Sequence, residues 1–163
     1  MALEVELKAP CPGARQKVEA LGAKFIGTET QEDTYFRHPC RDFKKTDEAL
    51  RLRNTGALRM TYKGPKKKSN LKVRREIEFI VPEEAHEFLS LLGFKEAFTI
   101  RKIRSTYRLD SLTVCCDIVE GLGEYVEVES VSESDNERIM EVLERLGVRG
   151  KETTKSYSEL LGL

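Results

Sequence analysis

The feature that most limits how this chain can fold is a period-two alternation in which apolar residues face charged ones. Residues 3–8 set Leu3, Val5 and Leu7 against Glu4, Glu6 and Lys8. Residues 50–53 set Leu50 and Leu52 against Arg51 and Arg53. Residues 72–79 set Val73, Ile77 and Phe79 against Lys72, Arg74, Glu76 and Glu78, with Arg75 breaking the pattern. Lys102 and Arg104 share a face in 100–104, and Glu127 and Glu129 stand opposite Val126 and Val128 in 125–129. Successive strand side chains point to opposite faces, so each segment reads as a strand with one apolar and one ionic face. A single such strand simply turns its ionic face to water. Repetition argues otherwise, because an ordinary exposed sheet mixes Thr, Ser and Gln among its charges, and Thr61, Thr106 and Thr113 are minor members here. Closing the sheet so that the ionic faces converge would create a charged cavity. Unpaired ions cannot be held in a dry interior, so the cavity must hold water, cations and a polyanionic ligand. Cations for phosphates and carboxylates for a metal are the two components of phosphoryl chemistry.

Three helices are expected, at 12–22, 82–93 and 134–147, closing on Leu21-Gly22, Leu92-Gly93 and Leu146-Gly147. Glycine suits the left-handed position just past a helix end. The third carries the helical apolar period at Ile139, Val142, Leu143 and Leu146. The first two are each flanked by alternating segments, a weak internal duplication of strand, helix and strands. Gly64 to Asn70 reads as a mobile loop between two strands. With 163 residues, the chain 1–163 is expected to form one domain. Its 28 basic and 28 acidic residues leave no cationic excess, so no nucleic-acid partner is expected. No apolar run approaches the roughly 18 residues that span a bilayer, and the acidic N-terminus is unlike a signal peptide. Cys115 and Cys116 would point to opposite faces of a strand. With no C-x-x-C spacing and only His38 and His86 as histidines, neither disulfides nor structural zinc are expected. The reading is a reduced, cytoplasmic protein with no membrane partner.

The charged motifs follow a definite order: Glu4-Val5-Glu6-Leu7-Lys8, Ala49-Leu50-Arg51-Leu52-Arg53, Tyr62-Lys63-Gly64-Pro65, and Arg75-Glu76-Ile77-Glu78. Lys102-Ile103-Arg104-Ser105-Thr106-Tyr107, Asp117, Gly121 through Glu129, and Lys155-Ser156-Tyr157 complete it. This order, opened by E-x-E-x-K, resembles the CYTH superfamily, the triphosphate tunnel metalloenzymes. His38 to Phe43, Lys63-Gly64-Pro65, Ala97 to Ile100 and Ser156 to Gly162 resemble its class IV adenylate cyclase branch and archaeal-type relatives. The resemblance implies an α+β fold: a closed antiparallel eight-stranded β-barrel, the triphosphate tunnel, with flanking helices. It also implies a metal-dependent enzyme using Mg²⁺ or Mn²⁺ on a triphosphate substrate such as ATP, with a homodimer as one assembly open to it.

Lys8, Arg51, Arg53, Lys63, Lys72, Arg74, Lys102 and Arg104 are the candidate substrate-binding cations. Arg offers a planar fork to phosphate oxygens and Lys a compact point charge. Read blandly, each is a solvent-facing strand residue. Glu4, Glu6, Asp117, Glu127 and Glu129 are candidate metal ligands, and hard oxygen donors without His or thiolate suit Mg²⁺ or Mn²⁺. Glu6, Lys102, Arg104, Asp117 and Glu127 form the candidate catalytic set. Glu76 and Glu78 are read either as metal ligands or as partners of nearby Arg and Lys. Lys66, Lys67 and Lys68 read as a solvated loop or as a lid, and Tyr157 as packing or as a residue at the barrel mouth. No P-loop or G-x-G-x-x-G is present, so strand side chains must hold the phosphates. No Ser-His-Asp set or Cys nucleophile is suggested. Three functions stay open: cyclisation of ATP to cyclic AMP and pyrophosphate, hydrolysis of an inorganic, thiamine or nucleoside triphosphate, and non-catalytic polyphosphate binding. Intact acidic and cationic sets disfavour the last, and the segments beyond the shared motifs favour the first.

Overall fold

The alternation resolves into eight strands in a computed structural model that describes residues 2–163. They are β1 (Leu3–Pro10), β2 (Lys24–Arg37), β3 (Ala49–Asn54), β4 (Leu58–Lys63), β5 (Lys72–Val81), β6 (Lys95–Leu109), β7 (Leu112–Val119) and β8 (Gly123–Ser130). They pair antiparallel in the order β1-β5-β4-β3-β2-β6-β7-β8, and β8 pairs back onto β1 to complete a ring. The helices are α1 (Ala14–Ala20), α2 (Phe43–Thr46), α3 (Ala85–Leu91), α4 (Asn136–Arg145) and α5 (Tyr157–Leu160). Exchanging β1–β4 for β5–β8 leaves the ring order unchanged, and α1 and α3 follow equivalent strands. The weak duplication is therefore a pseudo-twofold topology. Each half also lends its first strand to the other, since β1 lies between β5 and β8, and β5 between β1 and β4.

The apolar core lies outside the ring. Val5, Leu7, Val114, Val126 and Val128 turn outward against Val18 of α1 and Ile139 and Leu143 of α4, all buried. A second cluster joins Phe36, Leu50 and Leu52 to Ala85 and Leu89 of α3. Each Leu or Ile so buried contributes about 1.5–3 kcal/mol, and this outward packing leaves the inward faces to the charged residues. Helices α1, α3 and α4 end where expected, with Gly22, Gly93 and Gly147 at φ 81, 93 and 75°. A Cβ on Gly93 would lie 3.2 Å from the Pro39 ring, so close packing adds to the backbone requirement there.

Two apolar residues depart from expectation. Ile77 and Phe79 face outward but remain 41% and 54% exposed, because neither belongs to the clusters that α1, α3 and α4 build. Strands β2, β4 and β7 were not delimited by the alternation alone. Cys115 and Cys116 do face opposite ways: Cys116 joins the outer core, Cys115 approaches Glu129, and all four cysteines are free. Among the described residues, no helix is long and apolar enough to cross a membrane.

Candidate active site inside the ring

The inward side chains surround a cavity of about 1000 Å³. Glu4, Glu6 and Lys8 reach it from β1, Lys72, Arg74, Glu76 and Glu78 from β5, and Lys63 from β4. Arg51 and Arg53 come from β3, Asp33 from β2, Lys102 and Arg104 from β6, and Glu127 and Glu129 from β8. Asp117 lies beside Arg104 and does not itself line the space.

Most of the cations are matched to carboxylates. Arg104 donates Nε and Nη2 to Asp117 at 2.8 and 2.7 Å, and Nη2 also to Glu127 at 2.8 Å. Tyr157 OH donates to the same Asp117 at 2.7 Å, so this tyrosine is part of the ionic interior and not mere packing. Arg53 makes the equivalent two-pronged contact with Asp33 at 2.7 and 2.8 Å. Lys102 donates to Asp33 at 3.2 Å. Arg51 donates to Thr61 and Glu78, and Lys63 pairs with Glu4 at 2.9 Å and Glu76 at 3.1 Å. Glu76 and Glu78 thus stand as partners of Lys and Arg. Lys72 donates to Glu6 at 2.6 Å. Lys8 donates to the Lys155 carbonyl at 3.0 Å and lies 3.6 Å from Glu6. Arg74 is held by two main-chain carbonyls, those of Gly64 at 2.6 Å and Asp47 at 3.0 Å.

These surroundings shift the titrations. Burial, reinforced by Arg104 and Arg53 and opposed by Asp33, pushes the Lys102 ammonium down to about 8, so it stays mainly cationic at neutral pH. Burial alone would raise Asp33, yet Arg53, Lys102 and Arg51 hold it well below the usual carboxylate range. Glu4 is likewise brought down to about 2, because Lys63 outweighs its burial. Glu129 goes the other way: burial, opposed by Arg104 and reinforced by Glu127, Glu6 and Glu4, lifts it to about 8.

Glu4, Glu6 and Glu129 bring carboxylate oxygens within 4.8 Å of one another. Within this trio Glu6 Oε2 is buried and has no hydrogen-bond partner among the described residues. An all-oxygen donor set with an unengaged buried oxygen fits Mg²⁺ or Mn²⁺. Asp117 and Glu127 lie outside this trio, bound to Arg104. The five acids read as ligands from the sequence therefore divide into an open trio and an arginine-bound pair.

At the rim, Lys66 is not free in solvent. Its Nζ donates to Asp47 and Glu159, both at 2.8 Å, tying the 64–70 loop to the end of α2 and to α5. Asp33 was not singled out from the sequence. It sits in Gln31-Glu32-Asp33-Thr34-Tyr35, where polar residues occupy both faces and hide the strand period. The one usable signal was Gln31, Asp33 and Tyr35 at spacing two. His38 accepts from the Cys40 and Arg41 amides in a turn, and exposed His86 pairs with Glu96.

The CYTH domain family model matches residues 2–157. A protein of Methanocaldococcus jannaschii, provisionally named adenylate cyclase MJ0240, is 41% identical, with 99% of each chain covered. The structure of the PH1819 protein from Pyrococcus horikoshii OT3 superposes with a TM-score of 0.88 at 39% identity, covering 97% of both chains. Similar in fold alone is HpAC1 from Hippeastrum, provisionally named adenylyl cyclase and described as revealing a dominant triphosphatase activity, with a TM-score of 0.69 at 20% identity over 91% of this chain and 89% of that one. With the family model running from residue 2 to residue 157 and a relative 41% identical end to end, this chain belongs to the CYTH family.

Proposed function

We propose that the chain is a metal-dependent enzyme acting on a triphosphate held inside the ring, and that its reaction is cyclisation of ATP to cyclic AMP and pyrophosphate. The observation that carries the triphosphate reading is the unengaged Glu6 Oε2 within a carboxylate trio, set among buried Lys72 and Lys8 and half-buried Arg104. Mg²⁺ or Mn²⁺ in Glu4, Glu6 and Glu129 would supply charge neutralisation to the phosphate oxygens. Lys8, Arg53, Lys63, Lys102 and Arg104 would grip the phosphate chain with directional, charge-assisted hydrogen bonds. In cyclisation the ribose 3′-hydroxyl gives up its proton to solvent, its oxygen bonds to the α-phosphorus, the bond from that phosphorus to the bridging oxygen breaks, and pyrophosphate departs with its charge. Lys102 and Arg104, cationic at neutral pH, suit the stabilisation of that leaving group.

Support for a nucleotide over a bare phosphate chain comes from the cavity's other lining. It continues past the ionic zone to Tyr35, Phe36, His38, Phe43 and Phe98, side chains suited to an organic head group. The name of the Methanocaldococcus relative supports the same choice. Hydrolysis of the terminal phosphate is the second reading, favoured by the activity described for the Hippeastrum protein. The deciding experiment incubates the protein with ATP and Mg²⁺ or Mn²⁺ and separates the products. Cyclic AMP with stoichiometric pyrophosphate supports cyclisation. ADP with inorganic phosphate, or cleavage of tripolyphosphate without cyclic product, replaces it with hydrolysis.

A further inference from the structure

We propose that Asp33 is a positioning residue, which fixes Arg53 and Lys102 in the one arrangement that receives a phosphate group. This rests on the triphosphate reading above. Asp33 is 1% exposed and lies on β2 directly opposite Arg53 of β3. On the other side of β2, its register partner on β6 is Ile100, two residues from Lys102. One carboxylate therefore ties together cations from two strands that do not pair with each other. Among the described residues it is the only hydrogen-bond partner of the Arg53 and Lys102 side chains. Arg51 Nη1 approaches it as well, at 3.9 Å.

The contact leaves donors free. Arg53 uses its Nε and Nη2 edge on Asp33, so Nη1 is unengaged, and Lys102 spends one of its three N–H groups. Both residues line the cavity, as does Asp33. The pair faces the same way as Arg104 with Asp117 in the other half of the molecule, with acid and base exchanged between the equivalent strands. Asp33 is also separate from the Glu4, Glu6 and Glu129 trio, so it is not part of the metal-ligand set described above.

A positioning role and a plain counter-ion role have opposite signs. A carboxylate that only neutralises cations opposes an incoming polyanion, so its removal tightens binding. A carboxylate that holds the cations in place spares the ligand the cost of ordering them, so its removal weakens binding. Asp33→Asn removes the charge at constant size. Asp33→Glu keeps the charge and displaces it by a methylene.

The test is calorimetric titration of the full chain with inorganic tripolyphosphate and Mg²⁺. Positioning makes both variants bind more weakly, Asp33→Asn by roughly tenfold or more, the scale of one charge-assisted contact. In an Arg53→Gln background, Asp33→Asn should cost clearly less than in the wild type, because one of the two cations it acts through is gone and only Lys102 is left to displace. The Arg53 Nε–H proton resonance gives a local readout. It should exchange slowly in the wild type and quickly in Asp33→Asn, with the backbone amide spectrum retained. Tighter or unchanged binding in Asp33→Asn, full additivity with Arg53→Gln, or an unaltered Nε–H resonance overturns the proposal. If Asp33→Asn does not fold, Asp33→Glu decides: wild-type affinity there overturns it, and weakened affinity upholds it. Absence of tripolyphosphate binding by the wild type overturns the triphosphate reading and this proposal together, whereas wild-type binding that Asp33→Asn leaves intact overturns this proposal alone.

Discussion

Arg104→Gln measures how much the paired interior contributes to the fold. The guanidinium makes two bonds to Asp117 and one to Glu127, and both carboxylates are buried. After the substitution Asp117 keeps the Tyr157 hydroxyl and the field of Lys102, and Glu127 keeps the field of Lys8. Removing one partner of a buried ion pair costs about 3–5 kcal/mol, because a charge is left without compensation. That is a large part of an ordinary domain stability of about 5–15 kcal/mol. The pH dependence follows from the same geometry. Burial would raise both carboxyl groups, but Arg104 overrides it and holds both below their usual range. Stability from a carboxyl group lowered by folding is present above its unfolded value, near 4, and is lost as pH falls through its folded value. The variant lacks this contribution. Its deficit should therefore be full at neutral pH and should narrow as pH falls below about 4, toward the lowered folded values. Urea denaturation of both proteins at neutral pH and at about pH 3 or lower gives the two differences. A neutral-pH loss under about 1 kcal/mol, the value of an exposed pair, would refute the reasoning. So would a deficit that widens in acid.

Lys8→Met keeps the buried stem and removes the charge, so tripolyphosphate affinity should fall by about tenfold to a hundredfold, the equivalent of about 1.5–3 kcal/mol, in the same calorimeter. Turnover should require Mg²⁺ or Mn²⁺ and should be lost in excess EDTA and in Glu6→Gln; undiminished activity in EDTA would leave the acids as counter-ions only. Because Glu129 is lifted to about 8, metal uptake below that pH should expel a proton, and affinity should rise as pH approaches it. Titrations in buffers of different ionisation enthalpy would show that proton, and Glu129→Gln should abolish it. Leu143→Ala, in the core between α4 and the ring, should cost about 2–5 kcal/mol in thermal or urea unfolding and leave tripolyphosphate affinity unchanged.

The inward-facing cations were legible because each sits between apolar neighbours whose burial sets the strand phase. Lys8 is flanked by Leu7 and Ala9, and Arg51 by Leu50 and Leu52, all buried on the outer side. Where that outer partner is missing, the phase disappears from the sequence. Asp33 is the example, with half-buried Thr34 and exposed Glu32 beside it on β2. The division of the acids was hidden for another reason. Glu127 and Glu129 have the same spacing and the same face, yet one meets Arg104 and the other meets Glu4 and Glu6. Pairing across strands distant in the chain decides that, and local pattern carries no record of it. Tyr157 is similar: its hydroxyl reaches Asp117, 40 residues away, only once α5 has docked.

The exchange of first strands between the two halves has a consequence for how the molecule must assemble. Cut between β4 and β5, the chain gives two segments, each with three mutually adjacent strands and a fourth whose neighbours belong to the other segment. Neither can close alone, and each leaves unpaired strand edges that invite aggregation. The ring is completed by pairings such as Lys8 with Glu127 and Glu6 with Lys72, which join distant stretches of chain late in loop-closure terms. High contact order of this kind makes folding slow compared with a helical bundle of equal size. It also means that the carboxylate trio, drawn from β1 and β8, comes together only when those two strands pair. A chain in which that seam is open has the cations of β3 and β6 but not the carboxylate trio.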